Sequence, residues 1–163
     1  MVAPHVLKST ALAFLNSLAL MPNTTTEDPV RFDMQAIRAV RAPNYSHTFG
    51  HNFFVSQSPP LQGTSDLDGF MERVGKMTLK LESETKEVLS VAVDAGERSA
   101  VARVAYQMKA PGQQPVENDL IWWLWMDNKG TKVEKSVEFV DPAATKELQN
   151  RMNASASAAP KYL

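Results

Sequence analysis

The sequence contains no cysteine. This absence excludes disulfide scaffolds, cysteine-ligated zinc, iron–sulfur clusters and thiol nucleophiles. Charge of one sign is also not in excess, because 17 Lys and Arg side chains nearly balance 18 Asp and Glu side chains, for a formal net charge of −1. Binding to nucleic acid depends on clustered positive charge, so we expect no nucleic-acid partner. Any chemistry must come from histidine, carboxylate, tyrosine, arginine or hydroxyl groups.

Long hydrophobic runs are missing as well. The apolar run at 11–15 is interrupted by Asn16 and Ser17, and it has no basic flank of the signal-peptide type. No stretch approaches the roughly 20 apolar residues that a membrane span requires. We therefore expect a soluble cytoplasmic protein with no membrane partner.

The first half of the chain has the pattern of helices and loops. Apolar side chains recur at helical spacing over 10–20, 32–40 and 64–74, with Ser9 or Thr10 as the predicted cap of the first helix and Thr64 or Ser65 as that of the third. The polar segment 23–29 predicts a turn, and the segment 44–63, with its glycines and prolines, predicts an irregular loop.

The second half has the pattern of strands. Runs rich in Val, Leu, Tyr and Trp predict strands over 77–84, 86–94, 99–109, 116–126 and 132–140. Short turn sequences at 94–97, 111–113 and 127–130 are typical of antiparallel hairpins. Helices followed by a meander of strands predict an α+β fold, in which the helices cover one face of a curved antiparallel sheet.

One domain accounts for nearly the whole chain. A length of 163 residues, 44% of them hydrophobic, is enough for a single core. We expect this domain to span residues 1–152 and to end with a short helix that begins at Asp141 or Pro142. Residues 153–163 are mostly small and predict a flexible C-terminal tail.

The fourth predicted strand separates two kinds of face. Side chains alternate across a sheet, so Asn118 and Trp122 share one face, whereas Asp119, Trp123 and Trp125 share the other. The first face is the drier, and there Asn118 requires a hydrogen-bond partner or a ligand. Two tryptophans on the second face indicate that this face is also covered, and a homodimer formed through the sheet explains it.

The last predicted strand carries the candidate acid–base residue. Glu134, Ser136 and Glu138 share one of its faces. Glu134 is interpreted as a solvated surface carboxylate. Glu138 lies near the strand's end beside Phe139, where burial would raise its pKa toward the neutral range that acid–base catalysis needs.

The histidines do not form a metal pattern. His47 and His51 are four residues apart, but Gly50 between them argues against the helix that such a pair of zinc ligands would need. His47 is either a proton shuttle at the mouth of a pocket or a surface residue. Arg41 has an ordinary explanation at the end of a helix, where positive charge is favoured. The sequence has no glycine-rich phosphate loop and no nucleophile elbow, so no nucleotide cofactor is implied.

Several short segments together resemble one known superfamily. They are the segment 41–47, the Val-Glu-Asn-Asp sequence at 116–119, the hairpin at 127–130 and the Glu-Phe-Val-Asp sequence at 138–141. In these segments the chain resembles a fungal member of the SnoaL-like, or nuclear-transport-factor-2-like (NTF2-like), superfamily, over most of residues 8–152. The resemblance implies a cone-shaped α+β fold with N-terminal helices over a curved sheet.

The same resemblance implies a function. It predicts a cofactor-independent enzyme that rearranges, cyclises or hydrolyses a polyketide, meroterpenoid or alkaloid intermediate in a deep apolar pocket. The implied partner is a small apolar molecule with carbonyl groups. In such relatives an Arg, a His and the Glu of Glu-Phe-Val-Asp line the pocket, and these positions fall here on Arg41, His47 and Glu138.

Further candidates come from a second motif of these relatives, Tyr-x-Asn-Glu-Tyr. This chain has Val-Glu-Asn-Asp-Leu at that place, which makes Asp119 a fourth catalytic candidate. Tyr106, on the neighbouring strand, is expected to replace one of the missing tyrosines. A regular strand directs Asn118 and Asp119 to opposite faces, so only a bulge would bring both into the cone. The candidate substrate-binding residues are Asn118, Tyr106, Trp122 and Phe53.

The leading hypothesis is general acid–base catalysis on an unsaturated carbonyl compound or a β-keto ester, in which Glu138 exchanges a proton while Arg41 and His47 hold a developing oxyanion.

A non-catalytic binding or scaffold protein is a second possibility, since a fold does not fix a function. Its cone would be filled by large side chains, namely Phe53, Phe54, Trp122 and Met108. The third is a dehydratase or ketosteroid-isomerase-like enzyme. Its Asp/His pair would be drawn from Asp66, Asp68, His47 and His51.

Overall fold

A computed structural model describes residues 1–22 and 31–158 of the chain. The described helices are α1 (Pro4–Ser17), α2 (Met34–Ala39), α3 (Asn52–Ser56), α4 (Leu67–Thr78) and α5 (Pro142–Ala158), with one 3-10 turn at Pro59–Leu61. The described strands are β1 (Arg41–Phe49), β2 (Ser83–Asp94), β3 (Ser99–Lys109), β4 (Val116–Met126) and β5 (Val133–Phe139). The predicted turn at 23–29 lies outside the described residues. No described helix is long and apolar enough to cross a membrane.

The strands form one curved, open sheet in the order β1-β5-β4-β3-β2. The chain from β2 to β5 is an antiparallel meander, as predicted, whereas β1 pairs parallel to β5. Turn chemistry closes the last hairpin: the Asp127 carboxylate accepts the backbone N–H of Thr131 at 2.8 Å, and Gly130 adopts a φ of 72°. The predicted α+β fold with a curved sheet is confirmed.

Alternation along β4 decides which face of the sheet forms the core. Its even-numbered residues, Asn118 and Trp122 among them, are buried beneath the helices, while Ile121 and Trp123 on the opposite face are exposed. A register shift opposite Trp125 and Met126 places both Val133 and Ser136 of β5 in the interior. The candidate site therefore lies on the concave, helix-covered face.

Strand β1 is the largest departure from the sequence predictions. The sequence predicts the end of a helix at 41–43 and an irregular loop at 44–63, yet Arg41–Phe49 is a strand. Pro43 suggested a break, but β1 is an edge strand, where a missing backbone N–H costs little. The β1–β5 register shifts between Arg41 and Ser46, in the segment that contains Pro43.

Helix α1 begins at Pro4, not near residue 10 as predicted. Proline is favoured in the first turn, since its missing N–H would have no helical partner there. Leu7 and Phe14 continue the apolar spacing and are fully buried. Thr10, expected as a cap, instead donates its hydroxyl to the Gly130 carbonyl at 2.6 Å.

Helix α4 also corrects two predicted boundaries. Its cap is Asp66, whose carboxylate accepts the Gly69 N–H at 2.8 Å, and not Thr64 or Ser65. The predicted strand at 77–84 is wrong, because α4 continues to Thr78. Strand β2 then runs without a break across the predicted boundary between 84 and 86.

Helix α5 is longer than predicted, since it continues six residues beyond Met152 to Ala158. Alanine favours a helix, and the Ser155 hydroxyl anchors this last part by donating to the Pro111 carbonyl at 2.6 Å. The segment 153–158 is therefore helical and not a loose tail, and residues 159–163 lie outside the described part. The single domain over 1–152 stays a prediction.

Candidate active site

An apolar cavity of about 50 Å³ lies between the concave face of the sheet and helices α1 and α4. Glu84 and Glu138 are the charged side chains among the described residues that line it. The other lining residues are Leu18, Phe32, Phe70, Val74, Met77, Tyr106, Met108, Leu120 and Trp122. We call this space the inner cavity.

A larger cleft of about 260 Å³ lies against the same part of the sheet, beneath α5. It is lined by Phe49, Pro60, Leu61, Arg73, Val74, Met77, Met108, Asn118, Leu120, Glu138, Val140, Thr145, Leu148, Gln149 and Met152. We call it the outer cleft. Glu138 lines both spaces, so this residue lies at their junction.

Glu138 is held on β5 opposite Trp122 of β4, and its backbone carbonyl accepts the N–H of Gly50 at 2.8 Å. Its side chain is 12% exposed. The pKa of Glu138 is raised to about 8, chiefly by burial and in smaller part by the negative charge of Glu84, against a smaller opposing effect of Arg73. At neutral pH this carboxyl is therefore mostly protonated.

His47, on β1, is fully buried beside Glu138, and 3.6 Å separates its Nε2 from the Glu138 Oε2. The pKa of His47 is lowered to about 3, chiefly by burial and in smaller part by the positive charges of Arg73 and Arg41. Both partners are thus neutral at neutral pH, and 3.6 Å is too long for a hydrogen bond, so this contact is not a salt bridge. The His47 Nε2 has no hydrogen-bond partner among the described residues.

A buried chain of side chains orients His47. The Tyr45 hydroxyl lies 2.6 Å from the Ser136 Oγ, which lies 2.9 Å from the His47 Nδ1. The guanidinium of Arg41 lies 5.3 Å from the centre of the Tyr45 ring. Tyr45 and Ser136 can each donate, and the roles of the two His47 ring nitrogens depend on the tautomer. When Tyr45 donates to Ser136 and Ser136 donates to Nδ1, the imidazole proton lies on Nε2, facing Glu138.

Arg41 itself does not reach the cavity. Its Nη1 donates to the Ser17 hydroxyl and to the Ile37 carbonyl, each at 3.0 Å, and its guanidinium lies 4.1 Å from the centre of the Phe14 ring. It lines neither the inner cavity nor the outer cleft. The expectation that Arg41 lines the pocket is therefore corrected, because local partners hold it behind Tyr45.

Glu84, at the start of β2, is a site residue that the sequence analysis missed. Burial raises its pKa to about 7, against the opposing positive charges of Lys86 and Arg31. Tyr106 lies in the same cavity, and burial raises its pKa, with smaller contributions from Glu84 and Glu138. The sequence analysis predicts one strand that ends at 84 and another that begins at 86. It therefore misses the alternation along the single strand β2, which places Glu84, Lys86 and Val88 on one half-buried face.

Arg73 of α4 was missed as well. It lines the outer cleft, its guanidinium lies 5.2 Å from the centre of the Phe49 ring, and its Nη2 donates to the Ser65 hydroxyl at 3.3 Å. The helical spacing of Phe70, Val74 and Met77 marks the buried side of α4, and Arg73 directly precedes Val74.

The remaining candidates divide between the two faces of the sheet. Trp122 and Tyr106 line the inner cavity, as expected. Asn118 lines the outer cleft, but its amide also fixes the start of α5, since it donates to the Thr145 hydroxyl at 3.2 Å and accepts the Asp141 N–H at 3.1 Å. Asn118 thus has the polar partners that its burial requires.

Asp119 and Phe53 do not reach the cavities. Asp119 lies on the convex face in a bidentate ion pair with Arg103, whose Nη2 approaches to 2.6 Å, because β4 is regular at this point. Phe53 is 81% exposed on α3. The expectation that Asp119 is catalytic is wrong, because regular alternation along β4 directs its side chain to the convex face. The expectation that Phe53 binds substrate is wrong, because the short helix α3 exposes its side chain.

The aspartates of the dehydratase hypothesis have other partners. Asp66 caps α4, and Asp68 forms an exposed ion pair with Arg38 at 3.2 Å. His51 is exposed, while its ring meets Phe139 edge-on. Of the residues proposed for that Asp/His pair, His47 approaches Glu138, but it lines neither the inner cavity nor the outer cleft, which corrects the expectation that it lines the pocket. In the part of the chain that the structure describes, no three His, Asp or Glu side chains come together to hold a metal ion.

No protein-family model matches the chain, and no curated protein sequence does. Solved structures do match. PrhC from Penicillium brasilianum is 19% identical, with a TM-score of 0.68, over 96% of this chain and 93% of its own. BvnE pinacolase from Penicillium brevicompactum is 15% identical, with a TM-score of 0.72, over 93% and 97%. An NTF2-like protein of unknown function from Burkholderia pseudomallei is 14% identical, with a TM-score of 0.60, over 88% and 94%.

The chain has the NTF2-like fold. At these identities the likeness concerns the fold and not the activity. Within this NTF2-like fold, β1 and β5 provide the His47–Glu138 pair, β2 provides Glu84 and α4 provides Arg73.

Proposed function

We propose that the protein is a cofactor-independent isomerase or cyclase that works by general acid–base catalysis. The observation that carries this proposal is the buried carboxyl of Glu138, a residue at the junction of two apolar spaces, 3.6 Å from the His47 Nε2. A pKa of about 8 makes this group able to give or take a proton near neutral pH.

His47 and Glu138 take different roles in the proposed reaction. Glu138 transfers a proton to or from a substrate carbon or oxygen. His47 lines neither the inner cavity nor the outer cleft, so its neutral Nε2–H acts on the Glu138 carboxyl, 3.6 Å away, and stabilises the carboxylate that forms when Glu138 gives up its proton. Arg41, proposed from the sequence to hold the oxyanion, acts instead through Tyr45 and Ser136 as a positioning residue.

The mostly apolar residues that line the inner cavity and the outer cleft support a small, largely apolar substrate with carbonyl groups, such as an unsaturated ketone or a β-keto ester. Enolisation of such a compound opens the way to isomerisation, ring closure or carbon–carbon cleavage. The structural likeness to a pinacolase is compatible with a rearrangement. We propose a polyketide, meroterpenoid or alkaloid intermediate of fungal secondary metabolism as the natural substrate.

Replacement of Glu138 tests this function. We expect the wild-type protein to catalyse hydrogen–deuterium exchange at the acidic carbon of a cyclic β-keto ester, measured by NMR. Glu138→Gln keeps the shape of the protonated carboxyl but cannot transfer its proton, so the rate should fall about 10²- to 10⁴-fold.

Glu134→Gln is the matched control, because Glu134 lies on the same strand and lines neither the inner cavity nor the outer cleft. It should keep the wild-type rate. Equal rates for wild-type and Glu138→Gln proteins would remove the role of Glu138.

A non-catalytic binding module is the second candidate function. The small volume of the inner cavity, about 50 Å³, favours it, because Trp122 and Met108 occupy much of the cone. It predicts that ligands bind to the outer cleft without any proton exchange, in wild-type and Glu138→Gln proteins alike.

We also propose that the protein forms a homodimer through the convex face of the sheet, where Ile121 and Trp123 are exposed. A cytoplasmic location stays a prediction from the sequence.

A further inference from the structure

Arg73 is a cation in an otherwise apolar part of the outer cleft. Its guanidinium lies over Phe49, and its one side-chain hydrogen bond among the described residues is the 3.3 Å contact with the Ser65 hydroxyl. No carboxylate of the described residues lies within 4.0 Å of it. Most of its five N–H donors are therefore available to a ligand.

The surroundings leave this positive charge without a balancing anion. Glu138 is the acidic group that lines the same cleft, and burial raises its pKa to about 8, so it is mostly neutral at neutral pH. His47 is uncharged as well. The remaining polar residues that line the cleft, Asn118, Thr145 and Gln149, carry no charge.

We propose that Arg73 binds an anionic oxygen of the substrate, a carboxylate or an enolate, and that the protein therefore acts on apolar organic acids or acidic enols. A guanidinium suits this task, since it offers two parallel N–H donors to a planar anionic group. Leu148, Met152 and Val140 supply the apolar wall for the rest of the molecule. This inference rests on the proposed function for the reaction, but the binding step can be measured without turnover.

The arrangement also orients the substrate. Arg73 and Glu138 line one cleft of about 260 Å³, so a ligand whose anionic end lies at Arg73 has its body beside the Glu138 carboxyl. In a bound enolate the carbon next to the anionic oxygen is the one that accepts a proton, and the protonated Glu138 supplies it and becomes a carboxylate. Arg73 thereby selects the substrate, and Glu138 performs the proton transfer.

Calorimetric titration with matched probes tests the anion site. β-Naphthoate and β-naphthamide share one shape and differ in charge, and dimedone is a cyclic enolate whose methyl enol ether is neutral. We expect at least one of the two anions to bind wild-type protein more tightly than its neutral counterpart. Arg73→Gln should weaken the binding of that anion by roughly tenfold or more, which is the usual effect of losing a charge-assisted hydrogen bond.

Two controls accompany these titrations. Arg103→Gln removes an arginine from the convex face, where Arg103 pairs with Asp119, and should leave anion affinity unchanged. Addition of the anion to the wild-type protein should also shift the NMR signal of the Arg73 side-chain N–H, a readout that needs no variant.

The outcomes separate the two proposals. If both anions bind no better than their neutral counterparts, or if Arg73→Gln leaves their affinity unchanged, the anion site is wrong. Glu138→Gln should keep the anion affinity while lowering the rate of proton exchange about 10²- to 10⁴-fold. If Glu138→Gln loses proton exchange but keeps anion binding that depends on Arg73, both proposals are supported. If the wild-type protein binds the anion but catalyses no exchange, the anion site at Arg73 is retained and the proposed acid–base reaction is overturned.

Discussion

Glu138 and His47 show how burial acts in opposite directions on an acid and a base. Removal from water disfavours the charged form of each group, so the pKa of Glu138 rises to about 8 while that of His47 falls to about 3. The pair is neutral between these values. A neutral pair exchanges a proton with a substrate without first breaking an ion pair, which suits acid–base work at neutral pH.

The raised pKa of Glu138 also predicts a pH-dependent stability. The folded chain keeps a proton up to about pH 8 that the unfolded chain, with the ordinary carboxyl pKa of 4.5, has already released. The free energy of unfolding therefore falls as pH rises through this interval. Glu84 acts in the same direction up to about pH 7, whereas His47 acts oppositely, but only between about 3 and 6.5.

Urea unfolding between pH 7 and pH 8 reports mainly on Glu138, with a smaller contribution from Glu84, because their pKa values are about 8 and about 7. Wild-type protein should lose about 1 kcal/mol over that interval, and Glu138→Gln should lose much less. Glu134→Gln should behave as wild type. An equal loss in Glu138→Gln would show that another group titrates there.

At the scale of elements, a strand could be predicted where the sequence pattern that marks it lies within the strand and its adjoining turns. Strands β3 and β4 were predicted with the observed bounds, because alternation and turn residues lie within the segment itself. The same alternation correctly placed Trp122 and Asn118 on the concave face and Asp119 on the other.

Strand β1 could not be recognised in this way. It is stabilised as a strand by β5, about 90 residues away in the chain, for example where His47 pairs with Ser136. Pro43 gave a local signal against a strand. The three residues that orient the proposed proton transfer, Arg41, Tyr45 and His47, all come from β1. The residues alone therefore left His47 as either a proton shuttle or a surface residue, the resemblance to other proteins favoured the pocket, and Tyr45 was missed.

Two glycines test how tightly the elements around Glu138 pack. A Cβ added to Gly50 would overlap the ring of Phe139, next to Glu138, whereas a Cβ on Gly75 in α4 would meet no atom within 4 Å. Gly50→Ala should destabilise the fold by about 1–3 kcal/mol. Gly75→Ala should stabilise it by about 0.5–1 kcal/mol, since alanine favours a helix interior.

Thermal unfolding and the exchange assay measure both variants. Gly50→Ala should also lower the exchange rate, because its N–H holds the Glu138 backbone carbonyl, and Gly75→Ala should not. A Gly50→Ala protein with the stability and exchange rate of the wild type would show that β1 and β5 can shift to make room for the added Cβ. It would contradict the tight packing of Gly50 against Phe139.

At the scale of the molecule, the two faces of the sheet have separate tasks. The concave face contains the inner cavity and the outer cleft, whereas the convex face presents stacked Trp123 and Trp125 rings, 4.7 Å apart, with the Lys135 ammonium 4.6 Å from the Trp125 ring. Association through the convex face would cover the exposed Ile121 and Trp123 and leave both clefts open to substrate.

Light scattering decides whether this face forms the proposed homodimer. We expect twice the 18.0 kDa mass for the wild-type protein and a single 18.0 kDa mass for Trp123→Glu, because a two-fold interface would bring two buried glutamates together. Phe53→Ser is the control, since Phe53 is an exposed apolar residue on α3, away from the convex face, and its loss should leave the dimer intact. A wild-type mass of 18.0 kDa would instead mean that stacking with Trp125 and Lys135 is enough to keep Trp123 in water. Exchange activity should survive in Trp123→Glu, because the residues proposed to bind and convert the substrate all come from one chain.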